Sequence, residues 1–284
     1  MRLGAIMRKK KEELLKEALS EAEYFNKEYA EDDAKQGADN YLVPDKIIHQ
    51  VINPDPSSLK EFDYAYSLLG NLENKRLLDF GAGDGWNTIC FAKAQAIVYA
   101  IDISEKGVEL IRKKAKANGV SELVTAEVQN CYNTTYPANS FDIIYGGGIL
   151  HHLDVDAAGQ ELSRLLHPEG VAIFFEPMRD TKIMDFFKTI VLFFTRRKAS
   201  EVTENESPLN CKRIQLLRRY FKVVNYRYFN VLASAGLLTN SETIKRILRH
   251  ADHILMKYVP GFKKLGRAVV IELRQPTNRQ LMDQ

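Results

Sequence analysis

The sequence predicts an α/β fold, a mostly parallel sheet with helices on both faces. Three observations carry that prediction. From residue 76 onward short apolar runs alternate with amphipathic stretches, the pattern of parallel strands joined by crossover helices. A turn, Gly81-Ala82-Gly83-Asp84-Gly85, directly follows the first run. The second run closes on Asp102, about twenty residues further, where an acid reaches a ribose in nucleotide-binding βα units.

The elements follow in order. Residues 8–31 place Leu14, Leu15, Ala18, Leu19 and Ala22 at helical spacing, which predicts a helix. A Gly- and Pro-containing connector around a short helix covers 37–58, and another helix runs from Leu59 to about Leu69. The core then reads as strand RLLDF, helix Trp86–Ala94, strand AIVYAIDI, and a helix from Ser104 to Ala117. Next come strands LVTAEV and FDIIYGGG, a helix around Ala157–Leu166, and strand VAIFFEP. Two later strands, YFKVVNYRYF and RAVVIEL, flank a helical stretch at 241–258. The long interval between them predicts that one runs antiparallel. Right-handed crossovers restrict the topologies available.

The chain has 284 residues, 45% hydrophobic and 27% charged, enough to bury a core without metals or disulfides. A net charge of +3 is too weak to imply nucleic acid binding. Cys90, Cys131 and Cys211 form no CxxC pair, which fits a reducing compartment and argues against a disulfide framework or thiolate metal site. With neither a signal-peptide core nor an apolar run of about 18 residues, the expectation is a soluble cytoplasmic protein.

The glycine turn suits close approach of backbone to a ligand. Its spacing is GxGxG rather than the GxGxxG of dinucleotide sites, and it contains Asp84. A carboxylate there repels phosphate but not a ligand carrying ammonium and sulfonium groups. Asp102 is placed to take ribose hydroxyls, with Ser104 the better helix cap. Asn130 and Cys131 follow the third strand, near where an adenine ring would lie.

Four pieces in this order, LLDFGAGDG, YAIDIS, YPANSFDIIYGGGILHHL and LSRLLHPEGVAIFFEP, resemble the class I S-adenosylmethionine-dependent methyltransferases, of the methyltransferase type 11 kind. The resemblance spans residues 72–178 and implies a Rossmann-like seven-stranded sheet whose last strand is antiparallel. It puts the methionine end of S-adenosyl-L-methionine against Gly81, Gly83 and Gly85, the ribose on Asp102 and the adenine against Ile103. Asn130 would reach the adenine amino group, where many members carry aspartate. Gly146 would approach the cofactor through its backbone, and Asp79 would orient the turn. The expected activity is O- or N-methylation. The alternative is a non-catalytic regulatory or assembly protein that keeps the cofactor.

For proton removal the candidates are His151, His152 and Glu176, with packing and structural pairing as the competing roles. No metal is expected. The implied domain organisation is an N-terminal helical cap (1–60), the cofactor-binding core (61–178), a helical lid (179–219) and C-terminal strands completing the sheet around a helical insertion (220–284). The segment KIMDFFKTIVLFFTRRK has a wide apolar face ending in Arg196, Arg197 and Lys198. It reads as a core or dimer helix, a lid over a hydrophobic or lipid-linked acceptor, or a peripheral membrane contact through 183–198. The stretch at 241–263 would form the opposite wall. Tyr24, Phe25, Tyr29 and Tyr41 are expected to cap the cofactor mouth. The protein is expected to be a monomer or homodimer with no nucleic acid partner, and no Asn/Asp-Pro-Pro-aromatic signature follows the fourth strand.

Overall fold

The strands predicted from apolar runs assemble into one seven-stranded sheet in the order β3-β2-β1-β4-β5-β7-β6. The computed structural model describes residues 2–35, 41–178, 209–233, 239 and 241–277; of the expected lid over 179–219, residues 179–208, with the apolar segment 183–198, lie outside them. The strands are β1 (Arg76–Phe80), β2 (Ile97–Asp102), β3 (Val124–Val128), β4 (Phe141–Gly147), β5 (Leu166–Pro177), β6 (Phe221–Phe229) and β7 (Ala268–Pro276). The helices are α1 (Arg2–Lys35), α2 (Asp45–Ile52), α3 (Glu61–Ser67), α4 (Trp86–Lys93), α5 (Glu105–Ala117), α6 (Val155–Leu165), α7 (Cys211–Leu216) and α8 (Glu242–Tyr258).

Strands β1 to β5 pair in parallel, whereas β7 runs antiparallel to both β5 and β6. The expected antiparallel strand is therefore β7. The central strands read as continuous apolar runs because helices cover both faces. Neighbouring residues point to opposite sides. Leu77, Ile143, Ile173 and Val270 join one buried cluster with α3 and α4, while Leu78, Ile144, Phe174 and Ile271 join the other with α6 and α7. Asp79 falls on the α4 side, where Thr88 meets it.

The chain builds outward from β1 through β2 to β3, then crosses back to place β4 on β1's other edge. That reversal opens a crevice at the carboxyl ends of β1 and β4, the usual ligand position in open α/β sheets. Helix α1 is held over the crevice by α5. The Asn26 amide oxygen accepts from the Ser104 hydroxyl (2.7 Å) and the Lys106 N–H (3.0 Å). Asp33 pairs with Lys106 (2.8 Å) and Lys113 (2.9 Å). Ser104 caps α5, as expected, by accepting from the Gly107 N–H.

Candidate active site

A cavity of about 390 Å³ occupies the crevice. Each strand end contributes to its wall: Gly81–Asp84 after β1, Asp102 and Ile103 after β2, Asn130–Tyr132 after β3, and Gly147–Ile149 after β4. Helix α1 closes it with Glu17, Glu21, Phe25 and Tyr29, residues four apart and therefore on one helical face.

The turn is shaped by its glycines. Gly81 has φ +72°, and an added Cβ would lie 2.5 Å from Ile149 Cγ1. Gly83 has φ +58°, and its Cβ would meet the Tyr29 hydroxyl at 3.0 Å. The Gly83 N–H donates to Asp102 Oδ2 at 2.8 Å, and the Ser104 N–H donates to Oδ1 at 2.9 Å. Asp102 is thus oriented by backbone, and its oxygens retain lone pairs for a ligand diol. Burial lifts its carboxyl to about 6 despite those N–H bonds, with Asp84 adding to the rise. Burial likewise pushes Asp79 up to about 7, against the stabilising hydrogen bond from Thr88. The Cys131 thiol is driven well above its ordinary value by burial, so it stays protonated and acts as a small apolar wall. Tyr29, raised by burial and then by Asp102 and Asp84, also keeps its proton.

Several expected positions sit differently. Gly85 packs against Ile111 of α5 and does not line the cavity. Gly146 lies inside β4, where an added Cβ would meet Phe174 Cε1 at 2.5 Å; Gly147 and Gly148 line the cavity instead. Of the four aromatics expected at the mouth, Phe25 and Tyr29 line the cavity, while Tyr41 bonds to Asp33. Asp84 is not a bare charge. Lys114, almost wholly buried on α5, donates to its carboxylate and, at 2.9 Å, to its carbonyl oxygen, with the ammonium 4.5 Å above the Trp86 ring. Repulsion of phosphate by Asp84 alone is therefore weaker than the sequence suggests. The expected wall at 241–263 borders a separate cavity of about 630 Å³ beside β6, which shares no lining residue with the crevice.

His151 and His152 occupy a short 3-10 turn, Leu150–His152, after β4. Fully buried Glu176 locks this turn: Oε1 accepts from the Ile149 N–H (2.9 Å) and the Leu150 N–H (2.8 Å), while Oε2 pairs with His151 Nδ1 (2.8 Å). Arg213 of α7 adds bonds to the carbonyl oxygens of Leu150 and Leu153. His152, not His151, lines the cavity, with its Nδ1 3.2 Å from Glu21 Oε2. Sequence reasoning missed Glu21, Lys114 and Arg213. The four-residue ladder Glu17, Glu21, Phe25, Tyr29 was a readable signal for the first.

The residues present fit S-adenosylmethionine. Five carboxylates line the cavity (Glu17, Glu21, Asp79, Asp84 and Asp102), and none of its described lining residues is Lys or Arg. That suits a ligand bearing sulfonium and ammonium charges and disfavours a pyrophosphate. Ile103 and Cys131 give apolar walls for a flat ring beside Asn130, whose Oδ1 already accepts from the Tyr132 N–H at 2.9 Å.

Residues 78–174 match the family described as Methyltransferase domain. With the strand order and glycine turn above, residues 78–174 resemble a methyltransferase domain, on the fold of the class I S-adenosylmethionine-dependent methyltransferases. It is 36% identical over 135 residues to a ubiquinone biosynthesis O-methyltransferase of Actinobacillus pleuropneumoniae, covering 45% of this chain and 54% of that protein. It is 36% identical over 97 residues to a 27-O-demethylrifamycin SV methyltransferase of Amycolatopsis mediterranei, covering 34% and 36%. The chain thus spans about half, or less, of the length of these curated relatives. The fold is shared with geranyl diphosphate C-methyltransferase from Streptomyces coelicolor A3(2), at a TM-score of 0.53 and 11% identity over 75% of this chain and 74% of that one. No helix among the described residues is long and apolar enough to cross a membrane.

Proposed function

We propose that this protein transfers a methyl group from S-adenosylmethionine to an oxygen or nitrogen of a hydrophobic small molecule, lipid-linked acceptors included. The observation that carries the reading is the cavity's lining at the switch point of the sheet: Asp102 after the glycine turn with Glu17, Glu21, Asp79 and Asp84 around it, Lys114 meeting Asp84 from α5, and no Lys or Arg among the described lining residues. Relatives whose printed names specify O-methylation support the choice of atom.

When bound, the cofactor supplies an electrophilic methyl on sulfonium, so the protein need only position a nucleophile and exclude water. Asp102 holds the ribose, with Asp79 keeping the turn in place through Thr88. Ile103 and Cys131 flank the adenine beside Asn130, and the turn from Gly81 to Gly83 faces the methionine end. His152 takes the acceptor's proton. His151 and Glu176 hold the turn that presents it. Phe25, Trp86, Tyr132, Ile149 and Leu153 give the acceptor an apolar surface. Helix α1 serves as the cap.

Isothermal titration with S-adenosylmethionine and S-adenosylhomocysteine tests the cofactor half; no heat at millimolar ligand defeats it. Product formation with a panel of phenols, alcohols and amines tests the transfer half. Tight binding without turnover across the panel would favour a regulatory or assembly role.

A further inference from the structure

Glu21 is a charge without a stated employer. It lies on α1 at 7% exposure, yet neither carboxylate oxygen has a hydrogen-bond partner among the described residues. The nearest cationic candidate among the described residues, His152 Nδ1, is at ion-pair distance (3.2 Å) without a hydrogen bond, and it too is unsatisfied. Burial of such groups is costly unless something bonds to them. Both residues line the cofactor cavity, and Phe25 sets its ring edge-on to His152 with centroids 5.5 Å apart.

We infer that Glu21 and His152 form an acceptor subsite that takes a hydroxyl or amine carried on an apolar body. This deepens the methyltransferase reading and rests on it. A carboxylate only accepts hydrogen bonds, so the group seated against Glu21 must donate one. A carbon nucleophile offers no such donor. Glu21 accepts the O–H or N–H, and as the acceptor is methylated that proton passes through the Glu21 carboxylate to the His152 imidazole, 3.2 Å away. Phe25, Ile149 and Leu153 enclose the apolar part. Glu21 thus touches the acceptor directly, and it reaches the site on α1, which is docked on α5.

Charged groups near the ring are Glu13, Glu17, Glu21 and Glu28 on α1, His151 beside it, and Asp154, Asp156, Arg213 and Arg219 across an adjoining hollow. Because several act together, the test compares variants at one position. In full-length protein saturated with S-adenosylhomocysteine, the His152 ring is followed by histidine-selective NMR, assigned with His152→Gln. Replacing Glu21 with Gln should abolish the shift that phenol and benzylamine produce in the His152 ring signals, and Glu21→Asp should restore most of it. Phenol and benzylamine at millimolar concentration should shift the ring signals, whereas toluene should not. Phenol shifts in Glu21→Gln as large as those in wild type overturn the inference, as do equal shifts from toluene. Calorimetry on the same samples separates the two readings. If wild-type protein fails to bind S-adenosylhomocysteine, the cofactor reading falls; retained binding with undiminished phenol shifts in Glu21→Gln removes this subsite alone.

Discussion

Two carboxylate–imidazole pairs stand side by side in this molecule, built from consecutive histidines. His151 meets Glu176, whose oxygens are committed to two backbone N–H groups and the imidazole, all within 2.9 Å. His152 meets Glu21 at 3.2 Å, yet the Glu21 oxygens accept no hydrogen bond among the described residues. Both carboxylates are buried, so burial does not separate them. What separates them is hydrogen-bond satisfaction. A satisfied buried charge fixes structure; an unsatisfied one in a cavity is the group left for a ligand.

Substitutions should magnify that contrast. Glu176→Ala strips partners from the buried Leu150 N–H and His151 ring and from the half-buried Ile149 N–H, and is expected to destabilise by about 3–5 kcal/mol, read as a fall in denaturant midpoint. Gly81→Ala attacks the ground both pairs share, since the new Cβ would strike Ile149 at a positive φ; a loss of about 1–3 kcal/mol is expected in the same assay. Glu21→Gln should stay within about 0.5 kcal/mol of wild type or stabilise it, because it neutralises a buried carboxylate that accepts no hydrogen bond among the described residues. A destabilisation as large as that of Glu176→Ala would erase the distinction.

A smaller effect concerns pH. Asp102 and Asp79 have carboxyl values raised to about 6 and about 7, above the unfolded value near ~4. Between those limits the folded, ligand-free protein binds more protons than the unfolded chain. This contribution to stability is therefore full at low pH and lost as pH rises from about 4 to about 7. Cofactor affinity should move the opposite way, weakening as pH falls through about 6, because a protonated Asp102 accepts fewer bonds from a diol. Calorimetry at pH 5 to 8 checks this, and Asp102→Asn should flatten the slope.

Much of this was legible in the sequence because it rests on local pattern. Alternating runs gave the strands, Gly81 and Gly83 gave the turn, and the position of Asp102 after β2 gave its place at the crevice. Ser104 was recognisable as a cap because its neighbours alone decide that role. Lys114 and Arg213 were not legible: each acts across a long sequence separation on an element that only folding brings near. The division of labour between His151 and His152 was hidden too, since adjacent residues share a sequence context and differ only in where the turn aims them. Gly85 and Gly146 looked like cofactor contacts, yet they serve close packing against Ile111 and Phe174, a demand that leaves the same residue type behind.

The central claim, that the acid after β2 and the glycine turn hold S-adenosylmethionine, is tested most directly by titrating S-adenosylhomocysteine into wild-type protein and Asp102→Ala at pH 8. The account predicts one site in wild type and at least a tenfold loss of affinity in the variant, equivalent to about 1.5–3 kcal/mol for charge-assisted hydrogen bonds. Equal affinities would contradict it.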